Sequence, residues 1–292
     1  MKNRLVRFDW AMKKLLRNKA NFEILEGFLS ELLKQDIKIR EILESESNKE
    51  DADDKYNRLD LLAESSNDLI AIEVQVSNQY EYFHRMLYGT SKLITEYIDS
   101  GDNYTKVRKA YSVHIVYFDL GQGCDYVYHG TTNFTGLHEH NQLNLSERQK
   151  EMFSKREVSD VFPEYYLLKI NNFNDIAHDT LDEWMYFLKN SEIKSEFSAK
   201  GLGKASKELD VLKLSDQKRK EYEHFINNRR AEESLIWNSK IEGQIEGKIE
   251  GKIEGKIEGK IEVAGNMKRK GISLEDIMEI TGLSREEIEC SV

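Results

Sequence analysis

Residues 57–76, NRLDLLAESSNDLIAIEVQV, constrain the fold more than any other stretch of the chain. Two aliphatic runs, 57–63 and 69–76, flank Glu64-Ser65-Ser66-Asn67-Asp68, a turn-rich connection of hairpin length. Side chains alternate between the faces of a strand. Ile70, Ile72, Val74 and Val76 therefore share one face, and Ala71, Glu73 and Gln75 the other. Asp60 interrupts the apolar run of the first strand in the same manner. A buried carboxylate is costly unless it is paired, hydrogen-bonded or bound to a cation. Two carboxylates brought together across a hairpin repel each other, and a hard divalent cation relieves that repulsion. The same pattern also suits a hydrogen-bonded polar cluster or an exposed sheet face.

A cation at this place has a definite chemical use. Mg2+ (or Mn2+) prefers oxygen ligands, keeps several waters, activates water and stabilises charge on a phosphate. Asp60 and Glu73 are the candidate ligands, and Gln75, two residues on, can orient an attacking water through its amide. Gln75 carries no charge and exchanges no proton, so it cannot do what a lysine would do there.

The surrounding pattern is mixed α/β. An amphipathic helix is predicted over 20–35, with Leu25, Phe28, Leu29, Leu32 and Leu33 on one arc. A loop follows over the acidic stretch 44–55, then the hairpin. A second helix over 80–98 is stopped by Ser100-Gly101, and 111–118 (YSVHIVYF) reads as a third strand. Weaker strands are expected at 125–129 and 165–170, and a helix at 175–190 with Trp184, Phe187 and Leu188 inward.

With those residues in place, the chain resembles a known family. Asp60 followed by Glu73-Val74-Gln75 is similar to the D…(D/E)XK signature of the restriction-endonuclease-like superfamily. The string RLDLLAE…IAIEVQ, with Arg85, Tyr88 and Ser91-Lys92 in HRMLYGTSKLI, resembles the recombination-promoting nuclease and transposase family over roughly 15–190, in which Gln commonly replaces the motif's Lys. The resemblance implies an α/β fold with a restriction-endonuclease-like core, a mixed sheet flanked by helices, and a long helical C-terminal tail. It further implies magnesium-dependent cleavage of DNA and a role in recombination.

The helix after the hairpin fits this picture. Phe83, Leu87, Ile94 and Ile98 fall on one arc, and Arg85, Tyr88 and Lys92 lie opposite, where Arg and Lys suit DNA phosphate. A solvated face has the same composition. Glu26, at the edge of the first helix's apolar arc, is the candidate third metal ligand. His138-Glu139-His140 has no third ligand nearby and reads as a surface loop, and His114, inside a strand, reads as a core histidine.

Beyond 204 the chain turns helical and charged, and an Ile-Glu-Gly-Lys/Gln repeat runs from Ile241 to Glu262. On a helix this places Ile, Glu, Gly and Lys in four stripes. Parallel copies of the chain could bury Ile against Ile as a coiled coil and set Glu beside Lys. A four-residue spacing drifts by about 40° per repeat, giving right-handed winding. Glycine at every fourth position makes an isolated helix marginal, so a homo-oligomeric stalk and a frayed linker both remain open. In the last segment Gly271 ends a helix, Ser273 caps the next, Gly282 ends it, and Ser284 with Glu287 forms a capping box. The expected division is a nuclease-like domain over 1–192, a helical extension over 193–240, the repeat over 241–262 and a small helical module over 263–292.

Composition narrows the classes. The net charge of -10 excludes a protein coated in basic surface, and phosphate contact must come from local clusters such as the basic first twenty residues. No apolar run is long enough for a transmembrane helix, the N-terminus lacks a signal-peptide pattern, and Cys124 and Cys290 form no disulfide framework. The expectation is a cytoplasmic DNA endonuclease with Asp60, Glu73 and Gln75 as catalytic residues. The alternative is an inactive nuclease fold serving as a DNA- or protein-binding scaffold.

Overall fold

Both runs of the hairpin become strands. The computed structural model describes residues 5–43, 60–66, 68–76 and 78–289. Its strands are β1 (Glu41–Leu43), β2 (Leu61–Ser65), β3 (Asp68–Gln75), β4 (Ala110–Val116), β5 (Val127–Gly130) and β6 (Glu164–Lys169). Among the described residues they form one six-stranded mixed sheet in the order β1-β2-β3-β4-β6-β5. β1, β2 and β3 are antiparallel neighbours, β3, β4 and β6 run parallel, and β5 returns antiparallel to β6. A parallel pair needs a long crossover, and helix α3 (Tyr82–Glu96) supplies the one from β3 to β4. The expected loop 44–55 and the first residues of the expected strand, 57–59, lie outside the described residues.

Alternation fixes what each face meets. Leu62, Leu69, Ala71 and Ala110 pack with Leu93 of α3, and Val116 and Leu167 pack with its Tyr82 and Met86. Ile70 and Ile72, which point the other way, are equally buried, so both faces of the sheet are covered. Helices α1 (Phe8–Lys14), α2 (Phe22–Leu33) and α5 (Thr180–Asn190) are joined by aromatic contacts. Phe8 meets Phe28 at 5.5 Å, and Trp184 meets Phe28 at 5.5 Å and Phe8 at 6.1 Å, ring centre to ring centre. Such tilted and edge-on pairs add to the area they bury. Gly27 of α2 lies against the backbone of Lys200 and Gly201, where an added Cβ would come within 2.2 Å of the Lys200 carbonyl oxygen. Helix α6 (Leu202–Glu208) follows directly.

The helix read as 80–98 exists, but its buried side is not the expected arc. Tyr82, Met86, Thr90 and Leu93 face the sheet, whereas Phe83 and Leu87 are 51% and 60% exposed. The sheet takes part in this: Thr90 donates its hydroxyl to Ser112 Oγ of β4 at 2.9 Å, a tertiary attraction that apolar periodicity cannot see. Helix α1, strand β1 and the short helix α4 (Glu147–Phe153), which Ser146 and Gln149 close with a capping box, were not expected.

The chain divides into two compact units, Met1–Tyr222 and Glu223–Val292. The repeat belongs to an unbroken helix, α7 (Asp216–Arg269). Within the second unit, α8 (Leu274–Thr281) and α9 (Arg285–Glu289) enclose a small core of Ala264, Ile277, Leu283 and Ile288. Ser273 accepts from the backbone N–H of Asp276, Gly282 ends α8 in the left-handed region, and Ser284 and Glu287 exchange both bonds of the expected capping box. The repeat glycines 243, 247, 251, 255 and 259 have nothing within 4 Å of an added Cβ, and Ile245, Ile249 and Ile253 are each 54% exposed. Among the described residues, no helix is long and apolar enough to cross a membrane.

Candidate active site

Asp60 precedes β2, in which Leu61 pairs with Ile72, so the hairpin register sets Asp60 beside Glu73 of β3. Opposed residues in an antiparallel pair share a face, and here it is the face covered by α3. Asp60 is 9% exposed and Glu73 6%. The Asp60 Oδ2 accepts the backbone N–H of Val74 at 2.7 Å, and its Oδ1 meets the Lys13 ammonium at 2.8 Å. The Asp60 carbonyl accepts from Arg17 at 2.9 Å. One side chain thus ties α1, the hairpin start and β3 together.

Glu73 is paired differently. Arg85 of α3 forms an ion pair with its Oε1, and Arg85 also donates to Gln79 Oε1 at 3.1 Å. His114, the register partner of Glu73 on β4, brings Nδ1 to 3.7 Å from the second carboxylate oxygen. Burial pushes the Glu73 carboxyl up to about 7; Arg85 opposes this and the charge of Asp60 adds to it. Loss of solvation on burial, rather than want of a cation, is what favours the protonated form.

Behind the carboxylates lies a neutral layer. Burial, followed by the Arg85 charge, holds the His114 imidazole down to about 3. A neutral imidazole has one donor and one acceptor nitrogen. Tyr82 engages Nδ1 at 3.1 Å and Ser112 engages Nε2 at 2.8 Å, so both nitrogens are satisfied. Burial and the nearby Glu73 hold the Tyr82 hydroxyl far above its usual range. His114 is the core histidine that was expected, and it also adjoins the site.

The other expected residues divide. Gln75 follows Glu73 on the same face, partly buried, opposite Val116. Glu26 is not brought here. Its carboxylate accepts the backbone N–H of Ile39 at 2.9 Å and the Lys38 ammonium at 3.2 Å, which assigns it to bracing the chain after α2. Arg85 does not share a solvent face with Tyr88 and Lys92: it turns inward to Glu73, while Tyr88 is 57% exposed. The reason is the rotated buried face of α3, which places Arg85 beside the sheet. His138, Glu139 and His140 are exposed loop residues. Lys13, Arg17, Tyr82 and Ser112 were missed. Only the basic character of the first twenty residues hinted at the first two.

Among the described residues, no group of three His, Cys, Asp or Glu side chains is placed to hold a metal ion. Two carboxylates, Asp60 and Glu73, nevertheless share one buried face of the sheet. That fits a hard divalent ion that keeps most of its waters and binds through one or two carboxylates.

Comparison with curated proteins and with solved structures returned no match. The family described as PD-(D/E)XK nuclease family transposase matches residues 6–238, a span that holds every residue of the cluster and all six strands. The chain belongs to that family.

Proposed function

We propose that the protein is a DNA endonuclease dependent on a divalent metal, Mg2+ or Mn2+, held by Asp60 and Glu73. One observation carries the reading: two carboxylates from neighbouring positions of the hairpin are buried together on one face of the sheet, and burial drives one of them up to about 7. When bound, the metal supplies an activated water and charge stabilisation at a phosphate. Asp60 is oriented for this by the Val74 N–H, and Glu73 is kept in place by Arg85 and backed by the His114 layer. Gln75, on the same face, positions the attacking water through its amide. Tyr88 and Lys92, on the outer part of α3, meet the DNA backbone. Plasmid nicking with Mg2+ is the test, with Asp60→Ala and Glu73→Ala beside wild type. If both variants cut as well as wild type, the assigned site is wrong.

The uncharged Gln75 and the two cations already seated on the carboxylates favour a second reading, a nuclease-fold scaffold that binds DNA without cutting it. It predicts salt-sensitive DNA binding that survives chelation, with no cleavage at any metal concentration. For the tail, the exposed isoleucines of α7, flanked by Glu and Lys stripes, support a homo-oligomer of parallel copies. Ile249→Asp then lowers the oligomer mass measured by light scattering, and an unchanged mass removes the stalk. Cleavage would serve recombination, mobile-element movement or defence alike, and a recombination assay with Asp60→Ala beside wild type separates the first from the others.

A further inference from the structure

We infer that Lys13 is a catalytic residue, the cation that contacts the scissile phosphate and supplies there the positive charge that the uncharged Gln75 cannot. This rests on the nuclease reading above. The first support is position. The Lys13 ammonium lies 2.8 Å from Asp60 Oδ1, on the side of the carboxylate away from the oxygen that Val74 holds. The second is access. The Lys13 side chain is 54% exposed although its tip rests on an aspartate side chain only 10% exposed, so it enters the site from solvent, where a DNA strand must also approach.

The other basic groups of the cluster are committed elsewhere. Arg85 is 16% exposed and shared between Glu73 and Gln79, and Arg17 is spent on the Asp60 carbonyl. Lys14, the next residue, pairs with Glu221 at 3.7 Å. The third support is anchorage. Helix α1 is held by Phe8 against Phe28 and Trp184, and by Trp10 against Tyr222 at 5.1 Å, so the base of the lysine is fixed while its four-carbon stem turns freely.

These facts define a sequence of contacts. Without DNA, Lys13 neutralises Asp60 and offsets the cost of burying it. When a phosphodiester arrives, its oxygens compete for the ammonium. Lys13 needs only a rotation of its stem to exchange a carboxylate oxygen for a phosphate oxygen. Negative charge on that phosphate grows as water adds, and a cation already in contact stabilises the transition state more than the ground state. Lys13 stays charged throughout and transfers no proton. Its release also frees one Asp60 oxygen.

The test uses the full chain, with Lys13→Ala and Lys13→Met, the latter keeping the apolar stem. Two quantities are read: the nicking rate on supercoiled plasmid with Mg2+, and Mn2+ binding to the DNA-free protein by electron paramagnetic resonance. Circular dichroism verifies the fold, because each variant leaves the buried Asp60 without its Lys13 partner. The expected result is a nicking rate lower by about a hundredfold in both variants, with Mn2+ bound at least as tightly as in wild type because its competitor at Asp60 is gone. Nicking within threefold of wild type overturns the assignment, as does a loss matched by equally weakened Mn2+ binding, which would make Lys13 a mere tether of Asp60. If the wild type neither binds Mn2+ nor cuts, the nuclease reading fails and takes this one with it. If the wild type cuts and Lys13→Met cuts equally well, only the lysine assignment falls.

Discussion

The α3 face of the sheet and the repeat of α7 invert each other. Around Glu73, ionisable side chains are inside, each against a partner; along α7, isoleucines are outside, with open space beside their glycines. Both departures from ordinary patterning cost stability in a single chain. The difference lies in where compensation is found. The sheet compensates internally through Lys13, Arg85 and His114, whereas the exposed stripe has no compensation within its own unit. Reading the first needs tertiary neighbours, and reading the second turns on the homo-oligomer proposed above.

The contrast can be broken most sharply at the carboxylates. Asp60→Ala or Glu73→Ala should lower plasmid nicking by more than about a thousandfold, while no substitution of the tail glycines affects single-turnover cleavage; gel quantification of nicked circles reads both. Glycine gives the next largest effect, because the same residue type has opposite roles in the two regions. Gly27→Ala drives a Cβ into the Lys200 carbonyl and should destabilise the first unit by about 3 kcal/mol, measured by urea unfolding.

A pH series on metal-free protein sharpens the sheet side. Glu73 holds its proton up to about 7 in the folded protein against 4.5 ordinarily, so it favours folding below pH 4.5. That advantage is lost as pH rises from 4.5 through about 7, a change on the order of 3 kcal/mol. Glu73→Gln should remove this slope. His114, held down to about 3 from 6.5, works with the opposite sign: its contribution is present above 6.5 and disappears as pH falls through about 3. A Glu73→Gln protein whose stability changes with pH as wild type does would refute the shift. The smallest effect belongs to the tail, where Gly251→Ala meets nothing and should raise helix stability by up to about 1 kcal/mol, followed by thermal circular dichroism.

What the sequence made legible was local. Alternation in 69–76 identified β3 and the face shared by Glu73 and Gln75, and the caps at Ser273, Gly282 and Ser284 were read from neighbours three or four residues apart. What escaped was set at a distance. The buried arc of α3 was misread because Thr90 is drawn inward by Ser112, and with that rotation Arg85 moved from an outer face to Glu73. Helix α1 is too short and too charged to show a periodic stripe, so Lys13 and Arg17 could not be linked to Asp60, which follows them by more than a full helix and a loop. Glu26 illustrates the converse. Its place on the helix was read, but the partner that claims it, the N–H of Ile39, lies in irregular backbone.

The unbroken helix through the repeat has a mechanical corollary. Because α8 and α9 pack against the end of α7 through Ala264, and residues 245–260 are four identical Ile-Glu-Gly-Lys copies, gaining or losing one of them leaves the sequence around each junction unchanged. It would still advance the terminal module by about 6 Å along the α7 axis and turn it by about 40°. Repeat number is thus a screw thread. It sets the reach and heading of α8 and α9 along α7 in discrete steps, without the folding of any element being renegotiated.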